Sequence, residues 1–321
     1  MTPSGVDEVD QIVDATIVDG TVVDEVVSTE LDVPQRLTSQ TLGRLKTRKA
    51  SDRTQRWLNA LLYGESGAGK TLLAAQAALV EELSPVLFID MEAGTRTLDH
   101  LPPEALELID IYQPEKWDDL QAVYNELFRG RHPYKTVVVD SITEAQALNM
   151  AKLAGYSTKV ELDASLPKFE EWNETTAEMR RFFRAFRDLR MNTIFTATVY
   201  EDADPSKGTR DNPAWLIRPN VSKKLRSDSP AFFDFVAYLY VQRRGGGNVR
   251  FALMDRDDRI TAKCRTPGVG IKIENPTMKY MYNVMVRNPG QSTVDFDNST
   301  VVTSSTGTSS QAQQPMMKKK K

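Results

Sequence analysis

The sequence predicts an α/β fold, a mainly parallel sheet covered by helices with antiparallel strands added late in the chain. Three observations carry that expectation. Short apolar, β-branched runs alternate with stretches of helical periodicity. The string GESGAGKT, Gly64 to Thr71, stands between one such run and an Ala/Leu-rich stretch. Two of the runs, Val86–Asp90 and Thr136–Asp140, end in a carboxylate, and in an α/β sheet the carboxyl ends of strands face the ligand crevice.

Taken in order, Trp57–Tyr63 is short, apolar and β-compatible, and Thr71–Leu83 reads as a helix. Val86–Asp90 is a buried strand and Leu106–Tyr112 a further candidate. Trp117, Leu120, Tyr124 and Leu127 recur at helical spacing, and Thr136–Asp140 is a β-branched strand. Phe169, Trp172, Thr176, Met179, Phe183 and Phe186 mark the core-facing side of a long helix, with Arg180, Arg184 and Arg187 on a solvated side. Thr193–Val199 is a strand. Phe232–Val241, Val249–Met254 and Arg259–Lys263 read as a strand and then a hairpin that turns at Asp255–Asp258.

Gly64, Glu65, Ser66, Gly67, Ala68, Gly69, Lys70 and Thr71 satisfy G-x-x-x-x-G-K-[ST], and their strand–turn–helix context is the one a phosphate cradle needs. Glycines let successive N–H groups point inward at oxygens, and the start of a helix adds partial positive charge. Lys70 is expected between the β- and γ-phosphates of ATP, and the Thr71 hydroxyl on Mg²⁺. Asp140 either holds Mg²⁺ through water or caps the next helix. Glu92, after the Val86–Asp90 strand, has the chemistry to take a proton from an attacking water. Asp90 competes for that role, and chemistry alone does not rank the two.

Composition bounds the rest. The chain has 321 residues, enough for one large domain or two small ones. Its net charge of −3 argues neither for nor against nucleic acid. The distribution is more telling: no Lys or Arg precedes Arg36, and the chain ends in Lys318–Lys321. Four segments follow. Residues 1–35 are an acidic arm, expected to be disordered or to dock on a basic partner. Residues 36–56 are a basic lead-in, 57–289 the core, and 290–321 a Ser/Thr/Gln tail expected to be disordered. The tail's lysines are either a nonspecific nucleic-acid contact or only a charged end. A lone Cys264 excludes an internal disulfide framework and fits a reducing cytoplasm. No secretory signal is visible, and no apolar stretch is long enough to cross a bilayer, so no membrane partner is expected.

FIDMEAG and TVVVDSIT, preceded by GESGAGKT, resemble the RecA-like recombinase core, over roughly Trp57 to Pro267. In particular the chain looks like the small RecA-core ATPases of phages, the Sak-type single-strand annealing proteins. The resemblance implies a RecA-like P-loop fold and ATP hydrolysis, with Glu92 as general base and Asp140 as the magnesium carboxylate. It implies single-stranded DNA as partner, a homo-oligomeric ring or filament, a single-strand binding protein alongside, and, for a phage protein, the host cytoplasm. Lys263-Cys264-Arg265 resembles the Lys-x-Lys or Lys-x-Arg element whose two cations reach a neighbouring subunit's γ-phosphate. Alternation along a strand would put both on one face; the other reading is a charge-guarded strand edge.

Two departures stand out. Where RecA has a Gln that senses the γ-phosphate, this chain has Thr198, and no aromatic to stack on adenine is evident after Glu92. Glu201–Pro213 occupies the place of a DNA-contacting loop. Lys207 and Arg210 would meet phosphates there, with Lys223, Lys224 and Arg226 close behind and Glu201, Asp202 and Asp204 diluting the charge. Two rivals stay open: an ATP-switched partner-binding module without DNA activity, and a helicase-like motor core.

Overall fold

The computed structural model describes residues 56–156, 167–208, 213–255, 257–266, 272–287 and 300–302. The chain divides into two units, Met1–Thr54 and Gln55–Lys321, and all described residues belong to the second. The acidic arm, nearly all of the basic lead-in and most of the Ser/Thr/Gln tail lie outside them.

Among the described residues, twelve strands and seven α-helices follow one another. β1 (Asn59–Gly64) leads through the phosphate motif into α1 (Lys70–Ala75). After β2 (Val86–Asp90) come α2 (Pro103–Leu106), β3 (Ile109–Tyr112), α3 (Trp117–Arg129), β4 (Thr136–Asp140), α4 (Ile142–Leu153) and α5 (Phe169–Arg187). β5 (Asn192–Ala197), β6 (Val199–Gly208), β7 (Pro213–Pro219), α6 (Lys223–Asp228), β8 (Phe235–Arg244) and β9 (Gly247–Leu253) follow. β10 (Lys263–Cys264), β11 (Lys272–Glu274), α7 (Met278–Tyr282) and β12 (Thr300–Val302) end the described chain.

Ten strands make one sheet in the order β12-β11-β9-β8-β1-β5-β4-β2-β3, with β10 also on β8. From β8 to β3 every pairing is parallel, and the strands after β8 join antiparallel. This is the RecA-like P-loop α/β architecture with its late antiparallel hairpin.

Alternation along the central strands divides the core in two. Ala60, Leu62, Val86, Phe88, Val138 and Ile194 face the layer that contains α1, α2 and α7. Leu61, Tyr63, Leu87, Ile89, Val137, Val139 and Phe195 face α3, α4 and α5. Both faces are covered, which is why these strands read as continuous apolar runs. On the second face an aromatic cluster forms: Phe183 meets Phe195 edge-on at 6.2 Å and Phe233 at 5.6 Å between ring centroids.

Several local expectations differ from the structure. The helix expected over Thr71–Leu83 is α1 followed by a 3₁₀ turn, Gln76–Leu79; the change of winding coincides with Gln76 accepting a hydrogen bond from the Met278 amide at the start of α7, 3.1 Å. The hairpin turns at Gly245-Gly246, not at Asp255–Asp258, because these two residues supply the positive φ of 56° and 85° that a two-residue hairpin loop needs. The polar segment read as a loop over Glu201–Pro213 lies largely in a two-stranded ribbon, β6 against β7, where main-chain pairing takes up the polar backbone. The arginine side of α5 is not simply solvated, since Arg180 pairs with Asp228 on α6 and the Arg184 guanidinium lies 5.3 Å from the Phe232 ring centroid. Within the tail, Thr300–Val302 pairs with β11.

Candidate functional site

The phosphate loop hangs from β1, whose six residues are all buried. Gly64 ends the strand against β8: a Cβ there would stand 2.1 Å from the Leu239 carbonyl oxygen, so only glycine fits. Gly69 has φ +94°, a conformation that side chains disfavour. The loop curls between these two points. Lys70, 7% exposed, bends back over it, and its ammonium donates to the carbonyls of Gly64 (3.1 Å) and Glu65 (3.0 Å). Burial lowers the Lys70 pKa, while Glu92 and Asp140 pull it the other way.

Asp140 ends β4 and is fully buried. It accepts from the Thr71 hydroxyl at 2.8 Å and from the Thr196 hydroxyl. Burial raises its pKa; those two hydrogen bonds oppose the shift, and the charges of Glu92 and Asp90 add to it. Thr196 escaped the sequence reading. Its signal was register: Val139 pairs with Phe195, so the next residues along β4 and β5 meet at the same level.

The two carboxylates after β2 separate on geometry. Asp90 is 2% exposed, and its oxygens accept from the amides of Glu92 and Gly94 (3.2 Å each) and from the Gln113 side chain (3.1 Å). It is committed to holding the turn. Glu92 is exposed and bonds the Ser141 hydroxyl, beside Asp140. Glu92 is therefore the carboxylate with room to meet a ligand. Register explains the proximity: Asp90 pairs with Asp140 across β2 and β4.

Thr198 lies just past β5. Its hydroxyl is 3.2 Å from that of Thr143 and accepts from the Asn220 side chain at 3.0 Å. It thus ties the root of the β6–β7 ribbon to α4 rather than touching Asp140. Lys207 belongs to β6, though only its backbone is described, and Arg210 lies outside the described residues. Lys223 and Lys224 are exposed in the first turn of α6. Tyr200 and Trp215 on the ribbon are 36% and 49% exposed.

Lys263 and Arg265 stand elsewhere. Lys263 pairs with Val236, near the start of β8, whereas Gly64 is level with Leu239 further along. The Lys263 ammonium donates to the carbonyls of Pro230 (2.7 Å) and Phe233 (2.9 Å), and Arg265 pairs with Asp234 at 2.6 Å. Burial lowers the Lys263 pKa, Arg265 adds to that, and Asp234 opposes it.

The donor set fits a magnesium ion. The Thr71 hydroxyl donates its hydrogen bond to Asp140, which leaves its lone pairs for a cation, and Asp140 adds a buried carboxylate; Mg²⁺ is typically held by few protein oxygens, with phosphate and water completing the shell. No cluster of three or more His, Cys, Asp or Glu suited to a metal occurs among the described residues.

A buried lysine over a glycine loop, with a hydroxyl and two carboxylates gathered at the same sheet edge, defines a P-loop nucleoside-triphosphatase core of RecA-like architecture. The chain belongs to the AAA domain family, whose model matches residues 56–266. No curated protein matches it. Among solved structures it is similar to the RadB recombinase (20% identity, 62% of this chain and 81% of that one, TM-score 0.38). It is also similar to the KaiC-like protein PH0186 from Pyrococcus horikoshii OT3 (17%, 67% and 83%, TM-score 0.35). A third is the flagellar accessory protein FlaH from Methanocaldococcus jannaschii (11%, 68% and 86%, TM-score 0.38). No described helix is long and apolar enough to cross a membrane.

Proposed function

We propose that this chain is a Mg²⁺-dependent ATPase of the Sak-like type that acts on single-stranded DNA in phage-type recombination, by annealing or strand pairing. The convergence of Lys70, Thr71, Asp140 and Glu92 at one sheet edge carries the ATPase reading. Loop amides and Lys70 hold the phosphates; Thr71 and Asp140 would hold Mg²⁺, which when bound neutralises charge on the β- and γ-phosphates. Glu92 orients a water and takes its proton as the water oxygen attacks the γ-phosphorus. The bond to the ADP oxygen breaks, and ADP and phosphate leave. Thr196 fixes Asp140 from the other side. Thr198, at the ribbon root, is the residue through which the nucleotide end of β5 would act on the ribbon.

The DNA reading is supported by the ribbon's exposed Trp215, with Lys223 and Lys224 on the following helix; a stacking face beside cations suits an unpaired strand. Lys207 and Arg210 are two further cations of the same stretch of sequence. In a ring or filament, Lys263 and Arg265 would exchange their own-chain partners for a neighbour's γ-phosphate, and a single-strand binding protein would present the DNA.

The test pairs two measurements. Lys70→Ala should reduce Mg²⁺-dependent ATP turnover to background. The unmodified chain should bind a labelled oligonucleotide with an affinity that falls as salt rises. Full turnover in Lys70→Ala overturns the ATPase assignment. Turnover without any oligonucleotide binding overturns the recombination role and favours an ATP-switched partner module.

A further inference from the structure

The positions of the catalytic carboxylates give the nucleotide a direction. Glu92 and Asp140 follow β2 and β4, on one side of β1 in the sheet; β8 and β9 lie on the other. A γ-phosphate that faces those carboxylates leaves the nucleoside end directed across α1 toward β8 and β9. On that side a cavity of about 250 Å³ opens directly against the loop. Leu72 and Leu239 line it with the turn Asn275-Pro276-Thr277, and Gln76 and Arg250 bring the polar groups. No carboxylate lines it.

Arg250 is the notable member. It is exposed on β9, and among the described residues it makes no ion pair. Its side chain nevertheless lies along the phosphate loop: a Cβ added to Gly69 would stand 3.1 Å from Arg250 Nε and 3.2 Å from its Cδ. The wall opposite is fastened in place. The Asn275 amide donates to the Arg250 carbonyl at 2.8 Å, and the Gln76 side chain holds the Met278 amide at 3.1 Å. An apolar slot with a planar cation at its rim and amide groups within fits a flat, uncharged aromatic ring better than it fits another phosphate. The chain has no Phe, Tyr or Trp between Glu92 and Tyr112 to serve that ring from the other side.

We propose that this cavity receives the nucleobase and ribose of the bound nucleotide, with the Arg250 guanidinium of the same chain stacked on the base. The proposal rests on the P-loop reading and adds a subsite to it. Titration calorimetry with ATP and with inorganic tripolyphosphate, both with Mg²⁺, tests it on the full chain and on Arg250→Ala, an exposed position whose loss spares the core. Arg250→Ala should weaken ATP about tenfold and leave tripolyphosphate within about twofold. Gln76→Ala should move ATP in the same direction without moving tripolyphosphate. Unchanged ATP affinity in Arg250→Ala overturns the proposal, and so does an equal loss for both ligands, which would make Arg250 a phosphate contact. If neither ligand binds the unmodified chain, the P-loop reading itself fails.

Discussion

Asp140 shows how one residue carries both cost and function. It sits fully buried among β4, β5 and the phosphate loop, and burial raises its pKa against two hydroxyl donors. A carboxyl whose folded pKa is raised holds its proton more tightly in the fold than in the unfolded chain. Its contribution to stability is therefore favourable at low pH and is lost as pH rises through the folded pKa. Asp140→Asn keeps the shape and removes the charge. We expect thermal melts at pH 8 to show the variant above the parent, with the gap closing on acidification, while ATP turnover falls to background. A variant less stable than the parent at pH 8 would show that the ionised carboxylate is stabilised there. Tyr63, next to the loop, serves the fold: its hydroxyl donates to the Thr261 carbonyl at 2.7 Å and lies 3.2 Å from that of Ile217, fastening the end of β7 and the approach to β10 to β1.

Among the elements, the β6–β7 ribbon is the one whose form the residues hid. EDADPSKGTRDNP has the composition of a loop, yet Tyr200 to Asp204 pairs in register with Arg218 to Ala214. Ribbon pairing presents Trp215 at 49% exposure, and the Arg226 guanidinium covers Tyr200 at 3.3 Å from its ring centroid. Trp215 has little to lose from the fold. Trp215→Ala should leave the melting temperature nearly unchanged and weaken oligonucleotide binding by about 1–3 kcal/mol, the range of one base–aromatic stack. Fluorescence anisotropy measures it, and unchanged affinity would remove the ribbon's aromatic from the DNA surface. By contrast, the inner side of α5 was legible as a stripe: Met179, Phe183 and Phe186 are buried as their spacing requires. Phe169 and Trp172, on the same stripe, stay 73% and 42% exposed, because helical spacing states which residues share a face and not how far along it the neighbours reach.

At the scale of the whole molecule, nucleotide binding should appear as stability. A ligand that binds only the folded chain stabilises it by about 2.7 kcal/mol at a hundredfold excess over Kd, a rise of roughly 5–10 °C for a domain of this size. Scanning calorimetry with ATP and Mg²⁺ should show that rise, and Lys70→Ala should abolish it. No rise in the unmodified chain would deny binding altogether. The sheet makes the connection between ligand and fold direct, since the phosphate loop, Asp140 and the turn held by Asp90 all hang from buried parallel strands of one layer.

The sequence by itself determined the cradle and the sheet that bears it. Gly64 to Thr71, the apolar runs and the carboxylates that end two of them are local patterns, and local patterns follow from backbone conformation, periodicity and chemistry alone. Tertiary structure decided what depends on register and on distant approach. It divided Asp90 from Glu92 by committing one to a turn, brought Thr196 to Asp140 across two strands, and held Lys263 and Arg265 on carbonyls and a carboxylate of their own chain. It also laid Arg250 against Gly69, 181 positions away in the chain. Such contacts arise where the sheet's order places strands side by side, and that order is set by packing on both faces rather than by any one segment.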